Sequence, residues 1–421
     1  MAQSQIASIF SSGSTFLDNA SYYVPISGTR GIDIFTTVAP AESPIRDAGV
    51  FSNLYTYSHS NTASVTSTVT LQKSQADTSI TISYTSDQTG IKEDTSNTAT
   101  FAATDEANYE VTIPSEAGNN SLGITVFGIS FSPTTSSDCI SFMIFGGNVR
   151  SITTPSTTFF FPPTGEVNST PQTTETFQKY RIRQTFTASD FYSYITANAR
   201  TTDTVFGTRK DGGAGSQSVT YTSGQTGAKE DTSNTDSLVA GSDLNYRCTT
   251  STGTETITMA MCSCSLISTA NFFHLLGARP AGDAVALNVT TFTGVSGRKV
   301  FNTTENNSKL LPEFTFTISE LGSMVSANTN SLLTTDVFVR DNGSNSSVTV
   351  SYAAAQTGLK NDSSNTTEIT SGTDEINYSV VNNELVSGSI TFTWIGCLGS
   401  TSSTPVVTAK IYSKLLTMGV G

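Results

Sequence analysis

Apolar and polar residues alternate through ITISY (residues 80–84), SVTY (218–221) and VTVSY (348–352), each ending on a tyrosine. A period of two is the signature of a half-buried strand. Just upstream stand VTLQKSQADTS, VFGTRKDGGAGS and VFVRDNGSNSS. Their Gly, Asn and Asp residues supply turn chemistry, so each pair predicts a hairpin. Further upstream NLYTYSHSNTAS, DFYSYITANART and ELGSMVSANTNS stand in matching register. Downstream, Asn108-Tyr109, Asn245-Tyr246 and Asn377-Tyr378 open another strand, and LGITVFGISF, ETITMAMCSCSL and GSITFTWIGCL close each series. No helical period persists in any of them.

The series is therefore a repeat. Its most regular phrase is QTGIKEDTSNT at 88–98, QTGAKEDTSNT at 225–235 and QTGLKNDSSNT at 356–366, about 130 residues apart. That period is far longer than a solenoid unit of about 20–50 residues, so each copy is a whole domain with room for about eight short strands. The fold class expected is all-β: three tandem antiparallel β-sandwich domains of homologous sequence, with the strand count favouring a jelly roll over an immunoglobulin topology. The boundaries drawn are an N-terminal arm over 1–20, repeats over 21–136, 137–268 and 269–403, and a C-terminal strand or tail over 404–421. Residues 153–176 and 278–312 are read as long loops or paired extensions. FFFPPTG at 159–165 cannot be a central strand, because proline lacks the amide a ladder needs. Short junctions predict defined domain contacts and a compact arrangement rather than a rod.

Composition narrows the function. Charged residues make up 13% and hydrophobic residues 36% of the 421. Hydroxyls and amides carry solubility, which suits strand faces and turns. A net charge of −13 and the lack of any basic run argue against a phosphate-binding surface, so no nucleic acid is expected. No stretch approaches the ~20 apolar residues of a spanning helix, the N-terminus lacks a signal-peptide pattern, and no membrane partner is expected. The five cysteines, Cys139, Cys248, Cys262, Cys264 and Cys397, are odd in number and irregularly spaced, so buried thiols are expected rather than disulfides or zinc ligands.

The repeated phrase offers Gln88, Gly90, Asp94 and Asn97, then Gln225, Gly227, Asp231 and Asn234, then Gln356, Gly358, Asp362 and Asn365. Glycine permits positive φ, and Asp and Asn bond back to nearby backbone. A structural crossover between strands accounts for the phrase. The rival readings are a calcium loop, weakened by Asn361 where the other copies have Glu93 and Glu230 and by the lack of alternating Asp spacing, and a glycan-contact loop.

Catalytic signatures are missing. His59 and His274 lie in different copies, and His274, inside FFHLLG, reads as a satisfied structural histidine. No HExxH, GxSxG, P-loop or dinucleotide fingerprint occurs, and Cys and His form no nucleophile pair. A glycosidase carboxylate pair carries no local signature, but nothing points to one among the 34 acidic residues. No enzyme activity and no cofactor are expected.

The order YVP-G, aromatic strand, VTLQKSQADTSITISY, then EDTSNTATFAATDEANY, best kept in Tyr23 to Phe131, resembles a module of tailed-bacteriophage virion structural proteins. The other copies depart at KDGGAGS and RDNGSNSS, and together the three span nearly the whole chain. The resemblance implies a non-enzymatic virion component, a head decoration, fibre or tail-associated protein at the particle surface, with other virion proteins and copies of itself as partners. The alternative is a carbohydrate-binding or adhesin protein of a phage or bacterial surface, extracellular and in contact with host glycans. Assembly contacts are expected from segments the repeats do not share: Phe159, Phe160 and Phe161, and Leu415, Leu416 and Met418 in the tail.

Overall fold

The computed structural model describes residues 5–17, 20–26, 36–115, 120–134, 139–166, 172–268, 270, 272–278, 284–295, 301–312 and 314–401. Among the described residues the first copy has eight main strands, numbered 1 to 8 here, besides a two-residue strand at Ser43–Pro44: Gln5–Leu17, Ala20–Pro25, Gly49–Asn61, Ser67–Lys73, Ala76–Tyr84, Gly90–Phe101, Glu106–Ile113 and Ser121–Pro133. One sheet has the order 1-8-3-6 and the other 2-7-4-5. The pairs 1 with 8, 2 with 7, 3 with 6 and 4 with 5 are those of one long folded hairpin. Pairing 8 with 3 and 7 with 4 then rolls that hairpin into two packed sheets. This is the eight-stranded jelly roll.

Both later copies repeat the order. In the second, strands 1, 8, 3 and 6 are Cys139–Ile152, Ile257–Ser268, Phe186–Asn198 and Gly227–Asp231, facing Thr158–Phe161, Asp243–Thr250, Thr204–Lys210 and Gly213–Tyr221. In the third they are Phe272–Ala278, Ser389–Ser400, Phe316–Asn328 and Gly358–Asp362, facing Val289–Thr293, Ile376–Asn382, Thr335–Asp341 and Ser344–Tyr352. Between strands 2 and 3 each copy carries one 3-10 turn, at Ala39–Ala41, Glu175–Phe177 and Glu305–Ser308.

Strand 5 shows why the pattern folds this way. Ile80, Ile82 and Tyr84 are buried between exposed Ser79, Thr81 and Ser83, and Val348, Val350 and Tyr352 repeat the inward face. In the second copy the first inward position is Gln217. Its burial is matched by hydrogen bonds from its Nε2 to Ala188 O and Asp236 and to its Oε1 from the Phe191 amide, as a buried amide requires.

Two expectations are corrected. The segment read as an N-terminal arm is strand 1: Gln5–Leu17 pairs antiparallel with strand 8 from Phe131 back to Ser121, because the first jelly roll needs an edge partner for strand 8. Thr158–Phe161 is strand 2 of the second copy, at a sheet edge that ends before Pro162. Phe159 and Phe161 point into the core, so they are not surface contacts. Phe160, on the opposite face, lies half-buried under the Arg209 guanidinium, 5.2 Å from its ring centre. Leu415, Leu416, Met418 and the whole tail lie outside the described residues.

Candidate functional site

The repeated phrase sits where the chain crosses from strand 5 in one sheet to strand 6 in the other. Its first part is a turn, and strand 6 begins at Gly90, Gly227 and Gly358, running through the rest of the phrase in the first copy and ending at Asp231 and Asp362 in the other two. Those glycines have φ of 92°, 86° and 93°, a backbone that side-chain-bearing residues rarely adopt. Gln88, Gln225 and Gln356 fold back, each side-chain oxygen accepting from the amide three residues earlier. Asn61, Asn198 and Asn328, at the end of strand 3, donate Nδ2 to both carbonyls framing each turn. These asparagines were visible in register in the sequence but carried no motif to single them out.

Asp94, Asp231 and Asp362 lock the second half. One oxygen of each accepts from the amide of Thr81, Ser218 or Thr349 on strand 5, at 2.9–3.0 Å. The other accepts from the two amides at 96–97, 233–234 and 364–365. Asn97, Asn234 and Asn365 add their Nδ2 donors. Burial by itself would raise these carboxyls, but the donors outweigh it and hold Asp362 down to about 2, with Asp94 and Asp231 shifted the same way. Amide hydrogens thus stand where a cation would have to stand.

Tyr84, Tyr221 and Tyr352 complete the crossover from within. Each phenol crosses the core to strand 3 and the start of strand 6. Tyr221 Oη lies 2.8 Å from Ser193 O and 3.0 Å from Gly227 O, and Tyr352 Oη lies 2.7 Å from Ser323 O and 3.2 Å from Gly358 O. Burial raises all three phenols far from any working pH. Twelve sequence-predicted residues therefore gather into three copies of one internal latch, four per copy, and not into one shared site.

The three jelly rolls share a different feature, which sequence reasoning did not locate. Val126, Met261 and Trp394 occupy one position of strand 8, opposite Tyr57, Tyr194 and Met324 of strand 3. Each points away from its own core into the next copy. Met261 and Tyr192 join the core of the first copy, Trp394 and Met324 that of the second, and Val126 and Tyr55 that of the third. The same face thus meets the same flank three times, and the contacts close into a ring with pseudo-threefold symmetry. A crevice lined by Asn53, Tyr55, Leu310 and Pro312 marks the closing contact between the first and third copies. Strand 8 is buried on both sides as a result, Leu122 to Phe131 without a break. The signal was present: LGITVFGISF does not alternate as a one-sided strand should.

The three contacts differ in polar detail. Arg46 pairs with Glu230 between copies one and two. Between copies two and three, Tyr180 Oη lies 2.6 Å from His274 Nδ1, and the Ser141 hydroxyl accepts from the His274 amide at 3.0 Å. Burial, with Arg183 nearby, lowers His274 to about 3, so the imidazole is neutral. Arg183 lies against Gly322, where any side chain would meet its guanidinium. The equivalent positions in the other copies are Tyr55 and Tyr192. Cys248, Cys262, Cys264 and Cys397 are buried free thiols, with burial pushing Cys264 and Cys397 up to about 12. Among the described residues no group of three or more His, Cys, Asp or Glu side chains is arranged to hold a metal.

Fold and contacts define a class: an all-β protein of three jelly rolls closed into a ring. The chain matches no family model and no curated protein. Among solved structures it is similar to an archaeal-virus protein described by its triple jelly roll fold and turret assembly, at 14% identity over 93% of this chain and 90% of that one, with TM-score 0.17. It is similar also to the insecticidal delta-endotoxin Cry8Ea1 of Bacillus thuringiensis, at 11% identity over 61% and 60% with TM-score 0.19. A Paenibacillus xanthan lyase matches at 15% identity over 71% of this chain and 30% of that one, with TM-score 0.18. Superpositions this loose carry no argument, and the jelly-roll assignment rests on the chain's own strand order.

Proposed function

We propose that this chain is a non-enzymatic virion structural protein, a surface, decoration, fibre or tail-associated component in which one polypeptide does the work of a trimer. The observation that carries this reading is the ring itself. Three copies of one domain meet through equivalent positions of strands 3 and 8, as subunits of a cyclic homo-oligomer do. Fusing them removes the concentration dependence of trimer formation and lets the copies diverge at exposed ends while the contacts persist. The conspicuous repeated motif serves as an internal latch, leaving its carboxylates engaged with amides. The resemblance of residues 23–131 to phage structural modules agrees with this role. Among the described residues the most exposed large apolar side chains are aliphatic, which favours this reading over the glycan-binding alternative.

An antiserum against the protein, applied with gold label to density-purified particles from the source, tests the reading. Regularly spaced label on particle surfaces is the expected result. Label confined to cell envelopes, with binding of the purified protein to a glycan array, would overturn it in favour of the adhesin.

A further inference from the structure

The loop end of the third jelly roll differs from its counterpart in the second. The connection between strands 3 and 4 exposes Leu332 and Leu333, at 69% and 39%, and that between strands 7 and 8 exposes Leu385 and Val386, at 62% and 68%. A single buried carboxylate ties the two loops together. Glu384 accepts from the amides of Ser331, Leu332 and Leu333 on one oxygen and of Leu385 and Val386 on the other, at 2.8–3.3 Å. These amide bonds hold its carboxyl down to about 2. Beside the two loops lie the crossover turn, Ala353-Ala354-Ala355, through the bond from the Ala355 amide to Asn330 O, and Leu287 at the turn between strands 1 and 2. Across residues 286–288, 329–334, 353–357 and 383–388 the one charged residue is Glu384, which is fully buried. Asp336, at the base, is engaged by Ser351 and Asn383.

The second copy builds the same end with the opposite charge. There the Arg200 guanidinium donates to the carbonyls of Ser251, Gly253 and Glu255, and the loops it gathers expose Thr201, Asp203, Thr252 and Thr254. The third end is thus a local replacement, apolar where its equivalent is polar.

We infer that this end of the third jelly roll is a wedge that inserts Leu332, Leu333, Leu385 and Val386 into the surface of a neutral phospholipid bilayer. Three observations select that occupant. First, the amides of Ser331, Leu332, Leu333, Leu385 and Val386 are satisfied from inside by Glu384, which lowers the cost of taking these loop tips into a phase without water. Second, the exposed apolar side chains here are four on two loops, few against the roughly 20–30 residues a side of a stable protein interface, so a second copy of the chain is a poor fit. Third, a net charge of −13 disfavours anionic lipid and leaves insertion of apolar side chains as the source of affinity. The lack of a spanning segment, which suggested no membrane partner, concerns crossing a bilayer and not lying on one.

Flotation of the full chain with phosphatidylcholine vesicles tests the inference, comparing wild type with the double substitution Leu332→Asp and Leu385→Asp. Both positions are exposed, so thermal melting should be unchanged. The expected result is vesicle-bound wild type, insensitive to salt, and a loss of at least tenfold in partitioning for the variant. Absence of wild-type flotation, flotation equal in the variant, or binding that salt abolishes would each overturn it. A concentration-dependent dimer of wild type that the variant abolishes, without vesicle binding, would assign the wedge to a second copy instead.

Discussion

Trp394 Nε1 donates a 2.7 Å hydrogen bond to the carbonyl of Lys179, 215 residues earlier in the chain, while its ring packs edge-on against Tyr180 at 5.0 Å. One side chain thereby closes the contact between the second and third jelly rolls. Trp394→Phe keeps most of the ring contact and leaves the carbonyl unpaired, an expected cost of about 1–2 kcal/mol. Trp394→Ala opens a cavity at the contact and should cost about 3–5 kcal/mol. Calorimetry checks both, and the alanine variant should also split one cooperative transition into two, as the third copy uncouples.

The three core tyrosines should respond alike. Tyr84→Phe, Tyr221→Phe and Tyr352→Phe each orphan carbonyls of strands 3 and 6 at an expected cost of about 1–3 kcal/mol. Denaturant melts of the three variants should agree within about 1 kcal/mol. A large effect at one tyrosine and none at the others would contradict the equivalence of the latches.

Asp362→Ala removes the acceptor of the Thr349, Ser364 and Asn365 amides. Amide exchange at these positions should accelerate by at least tenfold, with strand 6 of that copy loosened first. The effect should stay within the third copy.

Stability should fall on acidification across two windows. His274 is neutral when folded because burial lowers it from 6.5 to about 3. Between those values the unfolded chain binds a proton that the folded chain refuses, so stability rises with pH over that window and is lost as pH drops through it, with an upper limit of a few kcal/mol. Asp362 is lowered from 3.8 to about 2, so its contribution is present above 3.8 and vanishes as pH falls through 2. His274→Phe should abolish the first window and spare the second, as urea melts from pH 7 to pH 2 would record.

Arg183 is a cation buried at the contact with an Nη2 that has no hydrogen-bond partner. Replacing a poorly paired buried charge with an apolar side chain of similar length is commonly neutral or stabilising. Arg183→Met should therefore leave the melting temperature unchanged or raise it, whereas Arg46→Met, which strands Glu230, should lower it slightly.

Local periodicity is a property of the chain, and it was legible. The alternation at Ile80, Ile82 and Tyr84, the turn residues of each hairpin and the threefold recurrence of QTG determined an all-β protein of three like sandwiches, because inward and outward faces of a strand are written at every second residue. The twelve latch residues were visible for the same reason, since their bonds reach only to nearby strands. Partners across the ring carry no such register. Trp394 meets Lys179, and Val126 enters the third core, through faces whose sole trace in the sequence is a strand 8 that fails to alternate. Phe159 and Phe161 looked like free aromatics until strand 7 claimed their strand and turned them inward. Glu384 looked like one acid among 34 until two loops folded their amides around it. Which side of a strand faces its own core is settled locally, but what covers the other side depends on how whole domains pack, and only the tertiary structure decides that.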